Sequence, residues 1–196
     1  MARSRPPRAV YTRTGDDGST GLLYGGRVGK DTTGPDAYGV VDEAVSALGV
    51  ARADAERGSE LDELLVRLQR ELFVVGAELA TAPENREKLQ PGVSLVTPSM
   101  VDDLEPIIDD VTERYDPPTE FVLPGENRVA AALDVARTVV RRAERRCVAA
   151  AHDGWLDLER SEVVRYLNRL ADLVYTLARW QEGSYRPVRS RPDDAS

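Results

Sequence analysis

Phe121-Val-Leu-Pro-Gly-Glu-Asn-Arg-Val-Ala-Ala-Ala-Leu-Asp-Val-Ala-Arg-Thr-Val-Val-Arg-Arg-Ala-Glu-Arg-Arg146 reads as a short extended lead-in, a Pro-Gly stop, and a long helix opening near Gly125. From Val129 the apolar positions Val129, Ala132, Leu133, Ala136, Val140, Ala143 and Cys147 recur at helical spacing and form a stripe that faces a core. The other side is crowded with arginine. At about 100° per residue, Arg137, Arg141 and Arg145 fall in one column, with Arg142 and Arg146 on the adjoining flank and Glu144 beside it. Like charges stacked this way cost helix stability unless something anionic lies against them, and a polyphosphate meets that need. Taken alone, the helix leaves a second reading open, in which the arginines form an ordinary solvated face.

A chain of 196 residues is long enough for one domain with a sizeable core. Aromatic residues make up only 6%, which favours a helical core of Leu, Val and Ala over a sandwich of sheets. The net charge of −8 argues against a nucleic-acid binder, so the arginine cluster is a local positive site on an acidic molecule. Such a site suits a small anion better than a long backbone. The single cysteine, Cys147, lies on the apolar stripe and allows no intramolecular disulfide, as expected in a reducing cytoplasm. Met1 to Arg8 is basic and Pro-rich without the apolar core of a signal peptide, and no run reaches the length of a membrane span. The expected location is the cytoplasm, with no membrane partner.

Residues 1–9 and the tail 186–196 read as disordered from their Pro, Arg and Asp content, leaving residues 10–185 as a single helical domain. Residues 10–35 are too rich in turn residues for a helix. Within them Thr14-Gly15-Asp16-Asp17-Gly18-Ser19-Thr20-Gly21 lets backbone N–H groups converge on an anion, with hydroxyl donors alongside and Arg27 or Lys30 supplying positive charge. Asp16 and Asp17 can hold a magnesium ion carried in with phosphate. The segment is not a Walker loop, and a flexible surface loop is its plain alternative.

From Asp36, a possible cap, Tyr38, Val41, Val45 and Leu48 repeat at helical spacing. A second helix is expected over Glu60 to Thr81, stopping before Pro83. A third runs from Pro98 to Tyr115 with a kink at Pro106, and the arginine helix is the fourth. A connection around His152 leads to the fifth, which opens at Ser161-Glu162. Its core stripe is Val163, Leu167, Leu170, Val174 and Leu177, and a second, polar row carries Arg165, Asn168, Asp172, Tyr175 and Arg179. Asn168 offers the donor and acceptor that a base or ribose needs, or simply an inter-helix hydrogen bond. These elements predict an all-α fold, a five-helix bundle of the up-down, ferritin-like type with the glycine-rich loop across one end or side.

His152 is the only histidine. With no second histidine and no Glu-x-x-His a di-iron site is not expected, and neither a Cys-His pair nor a serine nucleophile with a histidine base can be assembled from distinct helices. Chemistry on this chain should rest on positioning and on neutralising a leaving group, as Arg, Lys and magnesium do for phosphates.

Three separated segments match one family together. Tyr11-Thr-Arg-Thr-Gly-Asp-Asp-Gly-Ser-Thr20, the tract Tyr38-Gly-Val-Val-Asp42-Glu43, and Val135–Arg145 with Tyr166-Leu-Asn168-Arg169-Leu-Ala-Asp172 resemble the PduO-type ATP:cob(I)alamin adenosyltransferases over residues 10–180. The resemblance implies a homotrimeric five-helix bundle that binds ATP between neighbouring subunits. It places Thr12, Thr14, Gly15, Asp16, Asp17, Gly18, Thr20 and Lys30 around the ATP phosphates, magnesium being held mainly by those phosphates. It assigns Arg137, Arg141, Arg142, Glu144, Arg145 and Asn168 to the same nucleotide. Asp42 is expected to pair across the subunit interface with Arg137. Phe121 is expected to pack against the corrin of cobalamin and displace its lower ligand, so that cobalt becomes four-coordinate and reducible to Co(I). The implied catalytic set is Arg137, Arg141, Asp42 and Phe121. Further implied partners are a corrinoid reductase and an adenosylcobalamin-dependent enzyme.

The chemistry implied is attack of Co(I) on the 5′ carbon of ATP with loss of triphosphate, which needs no general base. A carrier that binds corrinoid and ATP without catalysis, or a helical interaction module, are the competing classes. The chain departs from the family pattern at Glu126, Asn127 and Asp134, where Gly, Ser and His are usual. Asp134, one turn before Arg137, is expected to restrain Arg137 or Arg141 through an ion pair.

Overall fold

The structure is a computed structural model and describes residues 10–189. Residues 1–9, and 190–196 of the tail, lie outside the described residues. Six helices carry the fold: α1 (Thr33–Asp54), α2 (Glu60–Leu79), α3 (Pro98–Asp102), α4 (Glu105–Thr112), α5 (Arg128–His152) and α6 (Val163–Glu182). The long helices α1, α2, α5 and α6 form a bundle in which α1 packs between α2 and α5, α5 packs between α1 and α6, and α4 leans on α6. Their apolar stripes meet in one core, where Leu48, Leu65, Leu68, Leu72, Leu133, Val140, Leu167, Leu170 and Val174 are fully buried. Cys147 is buried among them, and burial pushes its thiol up to about 12.

Local chemistry explains the helix boundaries. The first turn of α1 begins at Thr33, three residues before the expected start, with Thr32 at the N-cap position and Pro35 in the turn. Proline is tolerated there because the first N–H groups of a helix lack intrahelical partners anyway. Asp36 therefore lies inside α1 rather than capping it. The Ser59 side chain accepts from the Asp62 N–H at 3.2 Å, and Glu60, Asp62 and Glu63 in the first turn of α2 suit the positive end of the helix dipole. Asn127 caps α5 by accepting from the Ala130 N–H at 2.9 Å, while its amide donates to the Gln181 carbonyl at 2.6 Å. His152, expected in a connection, is the last residue of α5.

The third expected helix is two helices, not one kinked helix. Pro106 has no N–H to give the Asp102 carbonyl and its ring crowds that carbonyl, so α3 stops at Asp102 and α4 restarts at Glu105. The first residues of the expected disordered tail are ordered. Arg186–Pro187 forms β4, antiparallel to β3 (Val122–Leu123), and the Val188 N–H donates to the Phe121 carbonyl at 2.8 Å. The glycine-rich segment folds back as a hairpin of β1 (Ser19–Gly21) and β2 (Arg27–Gly29). Trp155 locks the start of α1 to the end of α2. Its Nε1 donates to the Leu79 carbonyl at 2.8 Å, and a Cβ on Gly34 would lie 2.3 Å from its ring, so only glycine fits there. Among the described residues no helix is long and apolar enough to cross a membrane.

Glu78 is the polar knot of the far end. Fully buried on α2, it accepts from Arg86 at 2.6 Å, from the Val96 N–H at 2.8 Å and from the Ser161 hydroxyl at 2.6 Å. It thus ties the 3-10 helix Pro83–Lys88, the approach to α3 and the approach to α6 onto one carboxylate. Truncation to Glu78→Ala strands these donors and is expected to cost about 3 kcal/mol or more. Urea unfolding checks this, and a loss below about 1 kcal/mol, the net worth of one ordinary hydrogen bond, contradicts it.

Candidate active site

The arginine face of α5 is divided by its neighbour α1. Arg142 hydrogen-bonds Glu43, and Arg146 Nε sits 3.2 Å from Asp36 Oδ2, so the flank of the helix is matched by carboxylates one helix away. The column is not. Arg141 and Arg145 are exposed and have no carboxylate within 4.0 Å among the described residues; Arg145 donates only to the Arg141 carbonyl, at 3.0 Å. Two unmatched guanidinium groups at i, i+4 repel by roughly 0.2–0.5 kcal/mol, a small standing cost that a bound anion removes. Beside them the Asn168 amide of α6 donates to Glu144 Oε1 at 3.0 Å, so two residues expected at the nucleotide are already joined.

At the other end of the column, Arg137 turns toward α6. Its guanidinium carbon lies 5.9 Å from the centre of the Tyr175 ring, and its Nε is 3.7 Å from Asp134 Oδ1. Asp134 does not reach Arg141. Its main partner is Arg179 of α6, which hydrogen-bonds Asp134 and donates to Glu182 Oε1 at 2.9 Å. The correction has a physical cause: Arg179 is only 5% exposed, and a buried guanidinium requires carboxylates on hand. Burial pushes the Glu182 carboxyl up, against the pull of Arg179.

A cavity of about 490 Å³ lies between these groups and the lead-in, bounded by Phe121, Pro124, Asp134, Arg137, Tyr175 and Arg179. Phe121 is 88% exposed and also lines a second cavity of about 630 Å³, with Glu120, Tyr175 and Val188. A large apolar ring left in water at the rim of two cavities is a candidate contact for an apolar ligand. Tyr175, Arg179 and Glu182 were not foreseen here. The usable signal was the row Tyr175-Arg179, one turn apart, followed by an acid at i+3.

The glycine-rich segment is held in shape by its own cations. Lys30 Nζ donates to the Gly15 carbonyl at 2.7 Å, and Arg27 donates to the Thr14 carbonyl and to Ser19 Oγ. A Cβ on Gly15 would stand 2.9 Å from both Lys30 Nζ and the Ser19 carbonyl, so the close approach needs glycine. The Thr12 and Thr14 hydroxyls are 2.8 Å apart and exposed. Asp17 accepts from the Ser19 hydroxyl at 2.7 Å and the Ser19 N–H at 2.9 Å, contacts that hold its carboxyl below the usual range. Among the described residues no group of three or more His, Cys, Asp or Glu side chains is placed to hold a metal ion.

Among the described residues no hydrogen bond or ion pair joins segment 11–20 to the arginines of α5, and Asp42, exposed on α1, makes no ion pair with Arg137 within the chain.

Residues 10–181 match the Cobalamin adenosyltransferase family. The chain is 42% identical over 173 residues to a corrinoid adenosyltransferase of Citrobacter freundii, covering 88% of this chain and 94% of that protein. It is 39% identical over 174 residues to the corrinoid adenosyltransferase PduO of Salmonella typhimurium, covering 89% of this chain and 50% of that longer protein. The fold resembles a variant PduO-type ATP:corrinoid adenosyltransferase from Lactobacillus reuteri complexed with cobalamin and ATP, with a TM-score of 0.82 and 29% identity over 93% of this chain and 100% of the other. With a match spanning most of its length and the arginine helix inside it, this chain belongs to the cobalamin adenosyltransferase family.

Proposed function

We propose that the chain transfers the 5′-deoxyadenosyl group of ATP to the Co(I) of a reduced corrinoid such as cobalamin, forming adenosylcobalamin and releasing triphosphate. The observation that carries this reading is the pairing pattern on α5: its flank is matched by Glu43 and Asp36, while Arg141 and Arg145 are left for an anion, and Arg137 of the same column lines the cavity with Phe121. In the reaction the cobalt electron pair forms the Co–C5′ bond as the C5′–O bond breaks, and the departing electrons leave on triphosphate. No proton moves, so the absence of a base from the column is no obstacle.

Arg141 and Arg145 stabilise the negative charge that grows on triphosphate, with Arg137 at the cavity end and Arg142 behind them. Glu144 and Asn168 orient the nucleoside. Thr12, Thr14, Gly15, Asp16, Asp17, Gly18, Thr20 and Lys30 wrap the phosphates, and magnesium travels with them. Segment 11–20 is not linked to α5 within one chain, which supports a site completed by a neighbouring copy. The assembly is a homotrimer in which Asp42 of one subunit faces Arg137 of the next. The exposed Phe121 ring meets the corrin face. The enzyme works in the cytoplasm as one domain, receives reduced corrinoid from a reductase, and supplies an adenosylcobalamin-dependent enzyme.

Incubation with ATP, magnesium and chemically reduced cobalamin should give the absorbance change of adenosylcobalamin formation; ATP binding without product contradicts the reading. Arg141→Ala should lower kcat by roughly 10²–10³-fold, the usual cost of losing one electrostatic donor, with little change in melting temperature. Near wild-type turnover removes Arg141 from the mechanism. Phe121→Ala should still bind ATP but lose most of the four-coordinate Co(II) signal in electron paramagnetic resonance, and an unchanged signal rules out the role given to its ring.

A further inference from the structure

We propose that Asp134 is a positioning residue: bound to the buried Arg179, it fixes Arg137 at the wall of the cavity between Phe121 and the arginine column. The inference rests on the adenosyltransferase reading and deepens it.

Asp134 is the only carboxylate shared by two guanidinium groups in this cluster. Its Oδ2 meets Arg179 of α6 and its Oδ1 lies 3.7 Å from Arg137 Nε on its own helix. Glu182 Oε1 also meets Arg179, at 2.9 Å, but makes no ion pair with Arg137. The two carboxylates therefore differ in one respect that matters, since both serve Arg179 and only Asp134 serves Arg137. The Tyr175 ring closes the arrangement, 5.1 Å from the Arg179 guanidinium carbon and 5.9 Å from that of Arg137.

Arg179, with a side chain 3% exposed, cannot turn to water. It anchors Asp134, and Asp134 in turn limits the directions open to Arg137, whose side chain is 31% exposed. The Arg137 Nε is buried and makes no hydrogen bond among the described residues, so within the chain an ion pair and a ring face hold this side chain, on the side away from the Asp42 proposed to reach it from the next subunit. An arginine ordered before substrates arrive loses less freedom on binding and meets the developing charge in place. Removal of the Asp134 charge leaves Arg137 facing Arg179 across the gap with no acid between them.

The test compares Asp134→Asn with Glu182→Gln in the full chain, each removing one charge from the same buried cluster. A merely structural cluster predicts similar falls in melting temperature and similar kcat. Positioning predicts that Asp134→Asn lowers kcat by roughly ten- to a hundredfold, the scale on which a misplaced group costs rate, while KM for ATP moves less and Glu182→Gln keeps kcat within about threefold. Equal kcat in the two variants overturns the proposal. Should circular dichroism show Asp134→Asn unfolded, Asp134→Ser, which also removes the charge, is compared with Glu182→Gln by the same criterion, and equal kcat again overturns it. Wild-type protein that makes no adenosylcobalamin overturns the adenosyltransferase reading and this inference with it, whereas active wild type with matched variants overturns this inference alone.

Discussion

Everything at the site depends on how α1 meets α5. Five arginines between Arg137 and Arg146 would repel one another on an isolated helix, and a carboxylate opposite each would produce a neutral, inert face. Packing produces neither. Asp36 and Glu43, two turns apart on α1, reach Arg146 and Arg142 and leave Arg141 and Arg145 unmatched. The buried stripe of the same helix, Leu133, Ala136, Val140, Ala143 and Cys147, fixes its rotation against α1 and α6. The small alanines allow close approach, and close approach sets which arginines the α1 acids can touch. Core packing thereby decides the electrostatics of the surface.

The two ends of the column serve different chemistry. Toward the C-terminal half lie exposed guanidinium groups and the Glu144–Asn168 pair, suited to an anion with a polar head group attached. Toward the N-terminal half, Arg137 is drawn into a semi-buried network with Asp134, Tyr175 and Arg179, next to an exposed phenylalanine and a cavity of about 490 Å³. A triphosphate fits the first and a flat, largely apolar macrocycle fits the second. A single rigid helix spanning both sets the distance between them, which is what a transfer between two bound molecules demands.

Much of this was legible in the sequence, for identifiable reasons. The leucine and alanine periodicities placed the long helices because burial of one face dominates their stability. The arginine column was visible because i, i+4 spacing alone defines it. What escaped required knowledge of neighbours. Arg179 shares a row with exposed Tyr175 and reads as polar surface, yet it packs against α5, where it meets Asp134, and is one of the most buried charges among the described residues. Arg186–Pro187 reads as a tail, and only its pairing with Val122–Leu123, more than sixty positions earlier, makes it a strand. Pro106 reads as a kink, yet its missing N–H stops one helix and starts another.

The central claim is that α1 leaves Arg141 and Arg145, and not Arg146, available to a triphosphate. Calorimetric titration with magnesium triphosphate measures it directly, using the wild type, the Arg141→Ala/Arg145→Ala double variant, and Arg146→Ala. The account predicts that the double variant loses roughly a hundredfold or more in affinity, about 2.7 kcal/mol, while Arg146→Ala stays within about threefold of wild type. Equal affinity in all three proteins, or a larger loss for Arg146→Ala, would contradict it.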